Sequence, residues 1–457
     1  MVATLLHALA PLFDAIIRAG GRPLLVGGAV RDVLLGLAPA DVDVEVYGID
    51  GNTLTAALAL FGRIDAVGRS FGVLKLRLNG YNVDVALPQR RHPLPGGKRG
   101  ALPDVDPGLE PRDALARRDF TFNALAMTPS GELLDFFGGR EDLQARTLRH
   151  TSTAFGDDPL RVLRAMQLAA RFDLRLAPET ASLCRTLLPV AGSIAPDRIW
   201  REWQKWALLG TRPSAGLRAL DDSSWLTLYP ELALLQGCLQ HAHFHPEGDV
   251  WTHTLHVCDG AARLADRDEL DARERVVLLF AALCHDLGKP ATTVVEVDGT
   301  VRSPGHAQEG VPLAQSFLAR IRAPHWLEQP VASLVREHLA HLSAPPTPRT
   351  VRRLAARLVP ATLVQWERLL EADASGRPPL PPERPGRAFL AVAEAEGTAT
   401  RQPPPLVYGR DLIAVGIKPG PRLGALLRRA YEAQLDGAFT TVEDGVAWVM
   451  RQDVHVE

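Results

Sequence analysis

The chain's apolar and polar positions divide it into an α/β first third and a helical remainder. Residues 1 to about 20 (MVATLLHALAPLFDAIIRAG) carry Asp14 and Arg18 within an apolar pattern and predict an amphipathic helix. From Pro23 to about Leu134, strand patterns alternate with helices. Leu24 to Val26 is a short apolar run, Gly27-Gly28 follows, and Val30, Val33, Leu34 and Leu37 recur at helical spacing. The run DVDVEVYG, starting at Asp41, alternates strictly and predicts a strand with Val42, Val44 and Val46 on its buried face. Val73 to Leu78 and Tyr81 to Ala86 predict a hairpin turned by Asn79-Gly80. Leu87 to Glu110 has no hydrophobic period, is rich in Pro, Gly and basic residues (Arg90, Arg91, Lys98, Arg99), and reads as a mobile loop. From about Leu143 helix patterns dominate, including Pro159 to Phe172 and Ile199 to Leu209. Pro-rich stretches at Ser343 to Arg349, Gly376 to Pro385 and Gln402 to Pro405 punctuate the second half. The tail from Tyr408 to Val454 predicts one clear helix, Leu423 to Leu435, and a shorter one after Thr441.

Candidate chemistry begins with Asp41 and Asp43. Two apart on a strand, they project to one side, and Glu45 continues the row. Carboxylates this close repel unless a cation lies between them. Mg²⁺, which takes one or two carboxylates plus substrate phosphates, suits them. An edge strand with a solvated acidic face is the plain alternative. The upstream glycines change the weighting: Gly28 opens a helix whose free N–H groups can meet a phosphate, and Arg31 adds a charged donor.

The spacing GGAVRD…DVDVEV resembles the signature of the class II tRNA nucleotidyltransferase and bacterial poly(A) polymerase superfamily. Arg117 to Ala124 (RRDFTFNA) resembles the family's next motif, Gly156 to Arg164 (GDDPLRVLR) its base-reading motif, and Asp197 to Glu202 (DRIWRE) the neck motif. The resemblance covers roughly residues 20 to 235. It implies a polymerase-β-like α/β head followed by all-α neck, body, HD and tail regions. It also implies template-independent addition of CCA to a tRNA 3′ end from CTP and ATP, with Asp41 and Asp43 as catalytic metal ligands. Gly28, Arg31 and Arg118 would hold the triphosphate, and Asn123 would brace the site. Asp84, on the second hairpin strand, is either a general base or an ordinary polar strand residue. In this family a flexible loop at the place of residues 87–110 accompanies the switch from C to A addition.

Asp158-Pro159 reads as an N-cap and first helical residue, after which Arg161, Arg164, Leu168 and Arg171 share a face. Cytosine and adenine both place an exocyclic amine beside a ring acceptor, and uracil and guanine reverse that order. A fixed Asp acceptor beside a fixed Arg donor therefore accepts C and A. By resemblance Asp158 and Arg161 read the base and Arg164 is a further nucleotide contact. Asp157 stands where the family often has Glu and is left out of the pair.

Ten of the fourteen histidines fall between His241 and His341. Leu283 to Lys289 (LCHDLGK) resembles the HD-domain core motif, with His253 upstream in WTHTLH and Asp373 in LLEADASGR as the distal aspartate. His253, His285, Asp286 and Asp373 would hold a second divalent metal and hydrolyse a phosphomonoester or cyclic phosphodiester. His306 and His338 resemble accessory HD positions. His241, His243, His245, His256, His325 and His341 are structural or unassigned.

Bulk properties limit the picture without directing it. At 457 residues, two or three domains are expected. The expected boundaries are a head at 1–140, a neck and RNA-binding region at 141–235, an HD domain at 236–375 and a linker with helical tail at 376–457. A net charge of −2 excludes a globally basic nucleic-acid binder. Residues 140–205 nevertheless carry ten Arg and one Lys against eight acids, and phosphate binding needs only a local basic path. Four cysteines without CxxC spacing read as thiols of a reducing compartment, hence a cytoplasmic enzyme. No run of 18 apolar residues predicts a membrane span. The alternatives are A-adding or CC-adding enzymes and a poly(A) polymerase of the same family. Other classes are an HD phosphohydrolase with a non-catalytic nucleotide-binding head and a non-catalytic RNA-binding protein.

Overall fold

The computed structural model describes residues 1–39, 41–61, 73–93, 101–381 and 383–453. The chain forms two compact units, Met1–Glu202 with Ala215–Trp225, and Trp203–Ser214 with Leu226–Glu457.

The first unit is built on a mixed sheet of β1 (Arg22–Val26), β2 (Asp41–Tyr47), β3 (Val73–Leu78), β4 (Tyr81–Ala86), β7 (Leu125–Met127) and β8 (Leu133–Asp135), in the order β3-β4-β2-β1-β7-β8. β1 is antiparallel to β2 and β7, and β2 runs parallel to β4. Alternation in β2 works as the pattern requires. Val42, Val44 and Val46 are at most 1% exposed, packed with Leu5, Leu9, Leu12, Phe13 and Ile16 of the helix Val2–Arg18. Each such side chain contributes about 1.5–3 kcal/mol by leaving water. Asn79 and Gly80 both have positive φ (47° and 88°), the two-residue turn that matches strand twist.

Two expectations are corrected. Residues 87–110 are not simply a loop: β5 (Gln89–Pro93) and β6 (Ala101–Val105) pair antiparallel, and Arg90 forms an ion pair with Asp106. Such a two-stranded ribbon does not join the main sheet, so its sequence needs no apolar alternation. Lys98 and Arg99 lie outside the described residues. The helix after Asp158 starts at Leu160, with Pro159 at its N-cap position.

The second unit is helical. Val250–Arg267, Ala272–Cys284, His306–Arg320, His325–Glu337 and Leu363–Ser375 pack on one another. The tail helices Gly409–Ala414, Pro421–Leu435 and Val442–Asp453 enclose a small core of their own, with Leu412, Leu426, Phe439 and Val449. Arg349 and Arg353 both pair with Asp436 near the end of the middle tail helix. All four cysteines are free thiols, three of them buried. Among the described residues, no helix is long and apolar enough to cross a membrane.

Candidate functional site

Asp41, Asp43 and Glu45 lie on the face of β2 opposite the buried valines, with the two aspartates exposed. Register places Asp43 across from Val26, the residue before the Gly27-Gly28 turn, and beside Asp84 of β4. Desolvation raises the Asp43 pKa, and Asp84, Asp41 and Glu45 add to the rise, while Arg118 opposes it. Asp84 is bound to Lys75 Nζ at 2.6 Å. The strand thus gathers carboxylates beside the turn, a donor set suited to a hard divalent cation.

Gly27 has φ 71°, and a Cβ there would lie 2.1 Å from Arg118 Nη1. The missing side chain is what lets the Arg118 guanidinium lie against the turn. Gly28 is less constrained: its Cβ would meet Arg31 Nη2 at 3.4 Å.

Arg31 is placed differently from a free donor. It is 5% exposed, donates through Nε to Asp32 at 2.8 Å and through Nη1 to Asn123 Oδ1 at 2.7 Å, and stacks on Phe172 at 4.4 Å. Asn123 donates to Asp119 Oδ1 at 3.0 Å, and Arg164 Nε donates to Asp119 Oδ2 at 2.7 Å. A continuous hydrogen-bonded chain therefore runs from the glycine turn to the helix Leu160–Phe172. Burial alone would raise the Asp119 pKa, but Arg164 and Asn123 outweigh it and hold the carboxyl below its ordinary range.

Asp158 lies just before that helix and Arg161 in its first turn, the Arg161 N–H bonding the Asp158 carbonyl at 3.0 Å. Their side chains have separate partners. Asp158 Oδ2 accepts from Arg198 Nη2 at 2.7 Å, and Arg161 donates to the carbonyls of Ala154 and Arg117, each at 2.7 Å. Sequence reading quoted Arg198 within the neck motif without giving it a part.

In the second unit the histidine cluster closes on itself. His285, His306 and His338 donate Nδ1–H to the carbonyls of Ala282, Ser303 and Val335, at 2.8, 2.7 and 2.6 Å. In a neutral ring this leaves the Nε2 lone pair facing inward. His285 Nε2 stands 3.1 Å from Asp286 Oδ2 with no hydrogen bond of proper geometry, and His306 Nε2 stands 3.1 Å from His338 Nε2. Burial pushes the His338 pKa down to about 3. His253 points Nε2 at Asp373 Oδ1, 3.1 Å away, and Nδ1 at Glu247 Oε1, 2.7 Å away. Burial would lower its pKa, but these two carboxylates raise it to about 9.

Lone pairs and carboxylates aimed at one another call for a cation between them. Two groups of donors, His253 with His285 and Asp373, and Asp286 with His306 and His338, each fall within 4.8 Å. The cluster brings together all four expected HD residues and both accessory histidines. Sequence reading missed Glu247, which orients His253 as outer carboxylates commonly orient metal-binding imidazoles. It also missed the 2.8 Å contact of Lys289 Nζ with Asp286 Oδ2. Glu247 lies only six residues before His253, and its spacing was the available signal.

A sheet with paired carboxylates beside a glycine turn defines a nucleotidyltransferase head, and the histidine–aspartate set defines an HD region. Residues 24–149 match the family model described as the Poly A polymerase head domain, and residues 250–367 match the HD domain. The Multifunctional CCA protein of Xanthomonas oryzae pv. oryzae (strain MAFF 311018) is 37% identical over 432 residues, covering 91% of this chain and 98% of that protein. The Multifunctional CCA protein of Xylella fastidiosa (strain 9a5c) is 38% identical over 368 residues, covering 78% and 84%. The fold is similar to that of the Bacillus stearothermophilus CCA-adding enzyme in complex with CTP, at TM-score 0.64 and 22% identity, covering 98% of each chain. The chain belongs to the multifunctional CCA protein family of nucleotidyltransferases.

Proposed function

We propose that the protein is a template-independent tRNA nucleotidyltransferase, which adds CCA to the tRNA 3′ end from CTP and ATP and releases pyrophosphate. The observation that carries this is the pairing of Asp43 with Val26, which sets the two carboxylates of β2 beside the Gly27-Gly28 turn. Asp41 and Asp43 would hold Mg²⁺, which when bound activates the attacking hydroxyl and neutralises leaving charge. The chain's own residues do the positioning. The N–H groups at Gly28 and the Arg118 guanidinium bind the triphosphate. Arg31, committed to Asp32 and Asn123, fixes the turn, and it holds phosphate directly only by exchanging those bonds. Asp158 and Arg161 select the base once Asp158 leaves Arg198 or shares it. Arg164 reaches the nucleotide or fixes Asp119. Helical residues beyond the head grip the tRNA by shape and backbone contacts. Four unpaired thiols support work in the cytoplasm.

The test supplies CTP, ATP or both to tRNAs ending before C, CC and A. Full CCA on the shortest substrate is the expected product. Growth by A alone, by CC alone, or into a long A tail would assign one of the related activities instead.

A second activity, favoured by the converging Nε2 atoms, is metal-dependent hydrolysis of phosphate esters in the HD domain. His253, His285, Asp286 and Asp373 would hold the ion, with His306 and His338 beside them. A bound divalent ion polarises a phosphoryl oxygen and acidifies water. Metal uptake together with phosphate-ester hydrolysis by the wild type, and loss of both in His285→Ala, is the measurement that decides this.

A further inference from the structure

The HD donors open onto a cavity of about 740 Å³, within the range of small-ligand sites. Asp286, His306, His338 and Asp373 line it, and so does Arg377. Arg377 stands one turn beyond Asp373, past the C-terminus of the helix Leu363–Ser375. Gly376 makes that placement possible. A Cβ there would meet Val257 Cγ2 at 2.4 Å and Val257 N at 3.1 Å, so only glycine lets the end of that helix press against the helix Val250–Arg267. The Gly376 N–H bonds the Asp373 carbonyl at 2.9 Å and fixes the turn that delivers Arg377.

The Nε–H of Arg377 is sealed from solvent and has no acceptor among the described residues. Its one ion-pair contact among the described residues is long, 3.9 Å from Nη2 to Glu383 Oε2, and that carboxylate is 65% exposed. A ligand cannot reach that sealed Nε, but the rest of the side chain is 23% exposed and makes no hydrogen bond among the described residues, so this cavity-lining guanidinium keeps Nη donors for an acceptor from outside the chain. The cavity already holds carboxylates and imidazoles for a cation. A planar guanidinium beside them supplies what a phosphate ester needs in addition, a donor fork matched to its oxygens.

Resting on the HD reading above, we propose that Arg377 binds a non-bridging oxygen of the phosphate ester hydrolysed in the HD cavity and so sets affinity for phosphate-bearing substrates. The plain alternative is that Arg377 is a structural partner of Glu383. The shared chemistry is a phosphate ester, carried into the cavity either by a small molecule or by an RNA 3′ end.

The full-length protein, loaded with Mn²⁺ or Ni²⁺, separates these readings. Inorganic phosphate binding is titrated by calorimetry. KM and kcat are measured on a nucleoside 2′,3′-cyclic phosphate and on a short RNA ending in the same group. R377M should weaken phosphate binding and raise KM at least tenfold, with metal content unchanged. R377K should recover part of the loss, and E383Q should behave as wild type. A tenfold rise on both substrates places the contact at the phosphate itself. A rise on the RNA alone overturns the inference, because the contact then belongs to the RNA beyond its terminal phosphate. The inference also fails if R377M keeps wild-type phosphate binding and KM, or if E383Q reproduces its loss. Wild-type protein that takes up metal yet binds no phosphate overturns it too, while leaving the metal site standing. Absence of metal uptake instead removes the HD reading, and Arg377 is then judged by the phosphate titration alone.

Discussion

Nη1 of Arg31 and Oδ1 of Asn123 stand 2.7 Å apart, although 92 positions separate them in the chain. Through the Asn123 amide and Asp119, the same chain of bonds reaches Arg164. The turn assigned to phosphate and the helix assigned to the base are thereby held in one rigid relation.

Asn123→Ala should loosen that relation. It strips a buried guanidinium and a buried carboxylate of one partner each, at a cost of about 1–3 kcal/mol. Urea unfolding should show the loss, and nucleotide transfer should fall with it. A variant as stable and as active as wild type would mean the bridge is incidental.

Gly27 and Gly28 should respond unequally. Gly27→Ala combines a positive φ with a 2.1 Å clash against Arg118, so the guanidinium must move. KM for CTP and ATP should rise by about tenfold or more, as expected for loss of a charge-assisted contact. Gly28→Ala meets Arg31 only at 3.4 Å and should change KM little. Equal effects would contradict the arrangement of Arg118 over the turn.

Asp41→Ala and Asp43→Ala, singly or together, should lower nucleotide transfer by about 100- to 1,000-fold or more. Hydrolysis in the HD domain, if assayed in the same preparations, should persist. Retained transfer in the double variant rejects the catalytic assignment.

Asp158→Ala should blunt base choice. A bidentate contact discriminates by about 1–3 kcal/mol, or roughly 5- to 150-fold. Competition of CTP against UTP, and of ATP against GTP, measures it. If the ratios stay at wild-type values, the reader lies elsewhere.

The Asp119 carboxyl is held below its ordinary range, and this links stability to acid pH. A depressed folded-state pKa contributes stability that is complete above the unfolded value, about 3.9, and is lost as pH falls through the folded one. The wild type should therefore lose part of its stability below about pH 4. Asp119→Asn should start about 1–3 kcal/mol lower at neutral pH and show a shallower acid slope. Parallel slopes for the two proteins would remove Asp119 from the linkage.

What the sequence made legible was local. The alternation of Val42, Val44 and Val46 foretold which face of β2 carries the aspartates, because a strand's period is fixed by its backbone. Asn79-Gly80 foretold the hairpin because both residues accept the positive φ of a tight two-residue turn. The HD histidines were found by spacing, and their convergence needed helices far apart in the chain. Ion-pair partners were not legible. Asp158 meets Arg198 forty positions away, and Arg31 spends its donors on Asp32 and Asn123, because charge pairing depends on packing that no period encodes. The β5–β6 ribbon escaped notice since, set apart from the main sheet, it needs no apolar rhythm.

Three of the inward-facing histidines lean on a carbonyl three residues earlier: His285 on Ala282, His306 on Ser303, His338 on Val335. Each ring thus carries its own bracket within a single turn of backbone. The bond that selects its tautomer is local, so helix packing has only to bring the Nε2 atoms together. Loss of any one of those three carbonyl contacts would free one ring to take the other tautomer and turn its Nε2 lone pair into a donor.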